Sequence, residues 1–127
     1  MIKAIFFLTA LSSISLEVVA GDSLLTEFNK EIEPYKKGIK YNSAAMNRLA
    51  DKELSGAKLT ESDYKKVFFL NCSSLTYINK TTAITKKDKY KNLEKAERLQ
   101  KIIASSKAVM DVTEKDCNKA GIPVFSQ

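Results

Sequence analysis

The sequence predicts an all-α protein, a small bundle of about four helices cross-linked by one disulfide. Three observations lead to this prediction. Apolar residues recur at intervals of three and four along most of the chain, which is typical of amphipathic helices. No apolar–polar alternation rivals this pattern, and the only weak strand candidates are Thr81–Thr85 and Val124-Phe125. The chain also has two cysteines, Cys72 and Cys117.

The stretch Thr60–Lys80 predicts a central helix against which the other helices pack. Thr60 followed by Asp63 resembles a capping box, which marks a helix start. At about 100° per residue one face is apolar, and three further large apolar residues, Phe69, Leu70 and Tyr77, point elsewhere. The residues of that face are Tyr64, Val67, Phe68, Cys72, Leu75 and Ile78. A helix that is apolar on several sides packs on several sides. We expect it to end near Thr81-Thr82, where the apolar period stops.

Two helices are predicted before the central helix. Asp22 or Ser23 caps the first, and Pro34 is expected to end or kink it. Its apolar stripe is Leu24, Leu25, Phe28 and Ile32. Asn42 or Ser43 caps the second, and Gly56 follows it. Its apolar side is Ala45, Met46, Leu49, Ala50 and Leu54. Tyr35 and Ile39 continue the first stripe, so one bent helix is the alternative.

Two further helical segments follow the central helix. Residues from about Asp88 to Asp111 are amphipathic. Their apolar face is Leu93, Ala96, Leu99, Ile102, Ile103, Val109 and Met110. Thr113 and Asp116 repeat the start signal of the central helix and predict a short helical turn that ends near Gly121, before Pro123.

The first twenty residues have the pattern of a cleaved secretory signal peptide. Lys3 is followed by the apolar run Ala4–Leu16, and Val18 and Ala20 suit a cleavage site. The run is too short to span a bilayer, which takes about 20 apolar residues. Residues 21–127 are then expected to form a single helical domain with no transmembrane segment, located in the periplasm or secreted.

Export makes a disulfide the expected state of the two cysteines. In an oxidising compartment, an even number of cysteines in a small secreted domain indicates a disulfide framework. Cys72 and Cys117 allow one intramolecular pairing, and two free thiols or an intermolecular bond are the alternatives. A bond between them would fasten the C-terminal segment to the central helix.

The composition argues against most kinds of catalytic site. The chain has no histidine, which excludes Ser-His-Asp and Cys-His arrangements and removes the commonest metal ligand. A disulfide leaves no thiolate for catalysis or metal binding, and no phosphate-binding motif is present. We therefore expect no catalytic residues, no cofactor and no metal. Paired carboxylates, as in glycan hydrolysis, are the remaining enzymatic route. The candidates are Glu27, Glu31, Glu33, Glu53, Glu61 and Asp63.

A cluster of lysines is the most prominent candidate for a binding patch. It lies at the connection after the central helix and includes one tyrosine: Lys80, Lys86, Lys87, Lys89, Tyr90 and Lys91. Such a cluster suits an anionic partner, although lysine-rich surfaces often serve only for solubility. The chain has only two arginines, Arg48 and Arg98, and no nucleic-acid-reading motif, so no specific nucleic acid is expected.

Two Asn-x-Ser/Thr sequences, at Asn71 and Asn79, match the N-glycosylation pattern. Asn71 adjoins a cysteine expected to be buried, which argues against a glycan there.

These features predict a small exported helical protein that binds another protein, with an acidic surface, and has no catalysis of its own. An inhibitor, an immunity or exclusion factor, and a chaperone-like protein all fit that description. In this prediction the lysine cluster steers the partner and Tyr90 offers an aromatic contact. The alternative is an anionic envelope polymer or membrane surface bound by the same lysines. A carboxylate-based glycan hydrolase is the remote alternative.

Overall fold

A computed structural model of the chain describes residues 23–126. The predicted signal peptide, the candidate cap Asp22 and the last residue, Gln127, lie outside these residues. The described part has no β-strand, and it contains four α-helices and one short 3-10 helix at Asp88–Tyr90. The α-helices are α1 (Ser23–Leu54), α2 (Glu61–Thr85), α3 (Glu94–Ala108) and α4 (Glu114–Lys119). The predicted small all-α bundle with one disulfide, Cys72–Cys117, is confirmed.

Helix α1 runs without a break through Pro34, so the alternative of one helix in place of two is confirmed, whereas its expected bend stays a prediction. The expectation of a new helix capped by Asn42 or Ser43 is wrong, because both side chains are buried in the middle of α1. Asn42 Nδ2 donates to Ser74 Oγ at 3.1 Å and to the carbonyl of Leu70 at 3.4 Å. Pro34 lies on an exposed side of the helix, where water can satisfy the carbonyl that loses its partner.

Gly38 lets α1 and α2 approach closely. The ring of Tyr77 lies over it, and a Cβ atom added to residue 38 would be 2.5 Å from Cε2 of that ring. Glycine within a helix normally weakens it. The structure shows that Gly38 gives Tyr77 the room to pack.

Helix α2 begins as predicted and ends later than predicted. Thr60 and Asp63 form the capping box at its start. The helix continues to Thr85 because Thr81, Ile84 and Thr85 are buried, so packing outweighs the low helix propensity of threonine. Carbonyls of the same helix satisfy the threonine hydroxyls. Thr81 Oγ1 donates to the carbonyl of Tyr77 at 2.8 Å, and Thr82 Oγ1 donates to that of Ile78 at 2.9 Å.

The predicted stretch from Asp88 to Asp111 divides into the 3-10 helix and α3. Helix α3 lies beside the first part of α1 and the second half of α2: Lys95 Nζ donates to Asn29 Oδ1 at 2.8 Å, and Gln100 Nε2 to the carbonyl of Thr85 at 3.3 Å. The main core contains side chains from α1, α2, the 3-10 helix and α3. Its buried residues are Phe28, Ile32, Ile39, Ala45, Met46, Leu70, Ile78, Ile84, Tyr90, Ala96, Leu99 and Ile103.

Helix α4 and the residues after it cover a second, smaller core around the disulfide. Cys72, Leu75 and Cys117 are buried there. Phe68, Met110, Val112, Ile122 and Val124 pack around them. Thr113 and Asp116 form the predicted capping box of α4, and Gly121 follows with φ of +78°, as its predicted place at the helix end requires.

Candidate functional site

The predicted lysine patch is largely bound within the molecule. Lys87 Nζ lies 2.5 Å from Glu31 Oε2, and Lys89 Nζ lies 3.0 Å from Glu31 Oε1. Lys89 also bridges to Glu27. Two ammonium groups of the connection between α2 and α3 thus face two carboxylates of α1. This pairing reduces the positive electrostatic field that this part of the surface presents to an anionic partner.

Tyr90 anchors the connection and is not exposed to a partner. Its side chain is fully buried, so the prediction that it offers an interface contact is wrong. The ring packs edge-on against Phe28 at 5.0 Å between centroids, and the hydroxyl donates to Glu31 Oε1 at 2.7 Å. Burial, followed by this bond to a carboxylate, raises the pKa of Tyr90.

Glu31 is the centre of this ion-pair cluster. Hydrogen bonds from Lys87 and then from Tyr90 lower the pKa of Glu31 from 4.5 to about 2. The carboxylate of Glu27, followed by that of Glu31, raises the pKa of Lys89. All these charges therefore persist over the physiological range, and the cluster ties the connection to α1.

The other three lysines of the patch have different surroundings. The ammonium group of Lys80 lies 5.6 Å from the ring centre of Tyr35 and 5.8 Å from that of Phe125, so it makes two cation–π contacts. Lys86 and Lys91 are exposed beside the 3-10 helix. The structure therefore does not bring the six predicted residues together as one open surface.

Two of the candidate catalytic carboxylates, Asp63 and Glu31, make structural contacts. Asp63 caps α2 and binds Lys52 at 2.8 Å, and the bond from Lys52 is the main reason that its pKa falls to about 2. A carboxyl group with so low a pKa is a poor general acid at neutral pH, and the same applies to Glu31. Within residues 23–126, no three side chains of His, Cys, Asp or Glu come together as metal ligands.

A buried asparagine that the sequence reasoning did not single out organises the C-terminal segment. Asn79 Nδ2 donates to Glu114 Oε1 at 2.8 Å and to the carbonyl of Phe125 at 2.7 Å. Lys107 Nζ donates to Asn79 Oδ1 at 2.9 Å. In the sequence, Asn79 is visible only as part of a glycosylation pattern. Both Asn79 and Asn71 are buried, at 2 % and 3 % exposure, which leaves no room for a glycan on either in the folded protein.

The exposed large hydrophobic side chains concentrate at one end of the molecule. We call this the hairpin end: residues 41–54 of α1, residues 61–69 of α2 and the connection between them. Four of the six large hydrophobic side chains that are most exposed lie there. They are Tyr41 at 69 %, Leu54 at 81 %, Tyr64 at 58 % and Phe69 at 56 % exposure. The sequence reasoning assigned Tyr64 and Leu54 to buried faces, and the structure corrects both.

The hairpin end is nevertheless well ordered by polar contacts. Lys52 joins the end of α1 to Asp63 in the first turn of α2. Asn42 joins the two helices further along, through Ser74. Gly56, with φ of +88°, follows α1 at the position that favours glycine. Large apolar side chains that stay exposed near one another are candidates for an interaction surface.

No protein-family model matches the chain, no curated protein is similar to it in sequence, and no solved structure is similar to it in fold. The candidate site therefore rests on the geometry alone. Of the helices described, none combines the length and the apolar character that crossing a membrane requires.

Proposed function

We propose that the chain is an exported protein without catalysis of its own that binds another protein through the hairpin end. Inhibition, immunity or exclusion, and chaperone-like protection are activities of this kind. The observation that supports the proposal best is the set Tyr41, Leu54, Tyr64 and Phe69, which remain exposed at that end. A few residues supply most of the binding energy in protein interfaces, and tyrosine is among the residues enriched there.

Export is the second part of the proposal. A disulfide between two fully buried cysteines is typical of proteins that mature in an oxidising compartment. The signal-peptide pattern of residues 1–20 supports the same conclusion. Mass spectrometry of the protein from its producing cells is expected to find a chain that begins at Gly21, and a mature chain that retains residues 1–20 would contradict this part.

The site proposed here differs from the lysine cluster of the connection. Lys87 and Lys89 already bind Glu27 and Glu31, and a partner would have to displace these contacts. We therefore place the binding energy on the hairpin end and give the connection a structural role.

A pull-down with variants tests the binding proposal. The mature protein would be immobilised, and the producing organism's envelope and medium would be the source of partners. Any retained protein would then be purified and titrated against variants by calorimetry. Tyr64→Ser with Phe69→Ser is expected to weaken binding strongly, whereas Val109→Ser, an exposed apolar residue outside the hairpin end, should leave it unchanged. Equal affinity of all three proteins would contradict a role for the hairpin end.

A second candidate, binding to an anionic polymer or membrane, is favoured by one observation. Lys30, Lys36, Lys40, Arg48 and Lys66 make no ion pair among the described residues. Salt distinguishes the two candidates, because exposed charges are screened beyond about 10 Å at 0.1 M ionic strength. Binding that is lost when the salt concentration is raised from about 0.05 M to about 0.5 M would favour the anionic polymer or membrane. An interface with apolar contacts should persist.

A further inference from the structure

One side of the hairpin end combines exposed aromatic rings with cations that have no partner. We call it the outer face: Tyr41 and Arg48 of α1 with Lys66 and Phe69 of α2. In α1 the intervals from Tyr41 to Arg48 and to Lys52 are seven and eleven, which places the three side chains on one stripe. In α2, Lys66 and Phe69 are three residues apart and so lie on one stripe as well.

The pairing of the helices brings the two stripes together. The helices are antiparallel, with Lys52 bound to Asp63 and Asn42 bound to Ser74. In this register Arg48 and Lys66 lie at about the same level on neighbouring helices. Tyr41 and Phe69 lie further from the α1–α2 connection, within about 12 Å of them along the axis at 1.5 Å per residue. The outer face is thus a short strip with cations towards one end and rings towards the other.

The cations of the outer face are not neutralised by the protein. Neither Arg48 nor Lys66 has a carboxylate within ion-pair distance among residues 23–126. Asp63 lies beside them, but Lys52 binds it and the bonds lower its pKa to about 2. Asp51 is exposed on α1, one turn from Arg48, and makes no bridge to it. A pair of free cations beside exposed rings is complementary to carboxylates next to apolar groups.

The two rings of the outer face are open to a partner, with Tyr41 at 69 % and Phe69 at 56 % exposure. Exposed rings beside cations suit a segment that offers apolar side chains together with carboxylates. A polyanion offers charge alone and would leave the rings unused.

We propose that the outer face binds an acidic segment of the partner protein, in which carboxylates for Arg48 and Lys66 stand beside apolar side chains for Tyr41 and Phe69. This inference rests on the proposed function and names the chemistry of the partner at that site. Arg48 would receive a carboxylate with two parallel bonds, which the guanidinium geometry favours over lysine.

A displayed library of random 16-residue peptides tests the inference without knowledge of the partner. Panning on the mature protein is expected to select peptides rich in Asp and Glu that also contain large apolar residues. A selected peptide would then be titrated against Arg48→Glu with Lys66→Glu. Charge reversal of both cations should weaken binding about tenfold or more, because charge-assisted hydrogen bonds become repulsive contacts.

The matched control is Lys115→Glu with Lys119→Glu, which changes the net charge by the same amount on the exposed surface of α4. It should retain the wild-type affinity, and circular dichroism of both variants should show intact helices. A Phe69→Ser variant should also weaken binding, whereas binding to a polyanion through charge alone would not depend on that ring.

Three outcomes would overturn the inference. The first is a library that yields no peptide dependent on Arg48 and Lys66, and the second is the selection of neutral or basic peptides. The third is that heparin or vesicles with phosphatidylglycerol bind as well as the acidic peptides and respond equally to both double variants. If the pull-down partner still depends on Tyr64 and Phe69 in any of these cases, the proposed protein binding stands and only the acidic chemistry fails.

Discussion

At the scale of single residues, surroundings decide roles that the residue type leaves open. Tyr90 is flanked by lysines in the sequence, which favoured an exposed aromatic contact, yet it is fully buried and bonded to Glu31. No pattern in the sequence around Asn79 indicates a structural role. In the structure, however, Asn79 joins α2 to Glu114, Lys107 and Phe125. Both roles depend on partners more than 25 residues away, which periodicity cannot reveal.

Replacing Gly38 by alanine should change the stability through two opposing effects, helix propensity and overpacking. Gly38→Ala should gain about 1 kcal/mol of helix propensity, but the new Cβ would lie 2.5 Å from the Tyr77 ring. Overpacking of this kind costs about 1–3 kcal/mol, so we expect a net loss of stability in urea unfolding. In a Tyr77→Leu background the same change should become stabilising. If Gly38→Ala stabilises the wild-type protein by its full propensity gain, the ring does not hold the position that the structure gives it.

Glu31 gives a prediction about pH. The pKa of Glu31 is lowered to about 2 in the folded protein, from an ordinary value of 4.5. Its ionised form therefore stabilises the fold fully above about pH 4.5, and that stability is lost as the pH falls towards 2. Glu31→Gln should be less stable at pH 7 and should lose less stability between pH 5 and 2.

Urea titrations at pH 7, 4.5 and 3 measure this difference. Glu94→Gln, which removes an exposed carboxylate of α3, is the control and should keep the wild-type pH dependence. Parallel pH curves for wild type and Glu31→Gln would show that Glu31 is not held by Lys87 and Tyr90.

At the scale of elements, the sequence predicted the capping boxes and the glycines that follow helices better than it predicted interruptions within the long helices. The capping boxes at Thr60 and Thr113 are local signals, and the structure confirms both. Pro34 and Thr81-Thr82 are also local signals, but they were poor guides, because packing of the surrounding residues carries α1 and α2 past them. The helix propensity of a single residue contributes little where the residues before and after it are buried in the same helix, because their packing stabilises the helix more.

Helix α4 depends on the disulfide more than on its own residues. It has six residues, and isolated helices shorter than about 12 residues are marginal in water. Cys72 and Cys117 are 45 residues apart, and closing such a loop removes unfolded-state entropy worth about 4 kcal/mol in the chain-entropy model. Cys117→Ser should therefore lower the free energy of unfolding by a large part of that amount.

Unfolding of wild type and Cys117→Ser, with and without reductant, checks this expectation. The wild type should fall to the stability of the variant when reduced, and the variant should not respond. Hydrogen exchange in α4 should rise more than in α1. A wild type that melts identically with and without reductant would mean that the disulfide does not form in the native protein.

At the scale of the whole molecule, the fold class followed from the sequence but the surface did not. The apolar periodicity identifies which residues of a helix can face a core. Whether they are buried depends on where the neighbouring helices begin and end. Leu54 and Tyr64 continue apolar stripes and yet stay exposed, because α3 lies beside the other half of the α1–α2 pair. Charge clusters mislead for a similar reason: Glu27 and Glu31 neutralise lysines that follow them by more than 50 residues.

This charge arrangement predicts that the lysines of the connection stabilise the fold. Replacing Lys86, Lys87 and Lys89 by Ser should lower the melting temperature, since Glu31 is only partly exposed and would lose its cation partners. The loss should be modest, because solvent screens ion pairs at a surface. Affinity for a partner bound at the hairpin end should change little.

Thermal scans at low and high salt, with Lys115→Ser and Lys119→Ser as the control pair, measure the effect. An unchanged melting temperature together with a loss of partner affinity would return these lysines to the binding role that the sequence alone favoured.

The attachment of the C-terminal segment to the middle of α2 has a consequence for biosynthesis. The residues that cover Phe68, Leu75 and Cys72 come from 110–124, at least 35 residues after that part of α2 in the chain. During synthesis this part of α2 therefore stays uncovered until residues 110–124 have been made, and the thiol of Cys72 stays unpaired for the same interval. A truncation anywhere before Cys117 would leave an aggregation-prone helix with an oxidisable thiol.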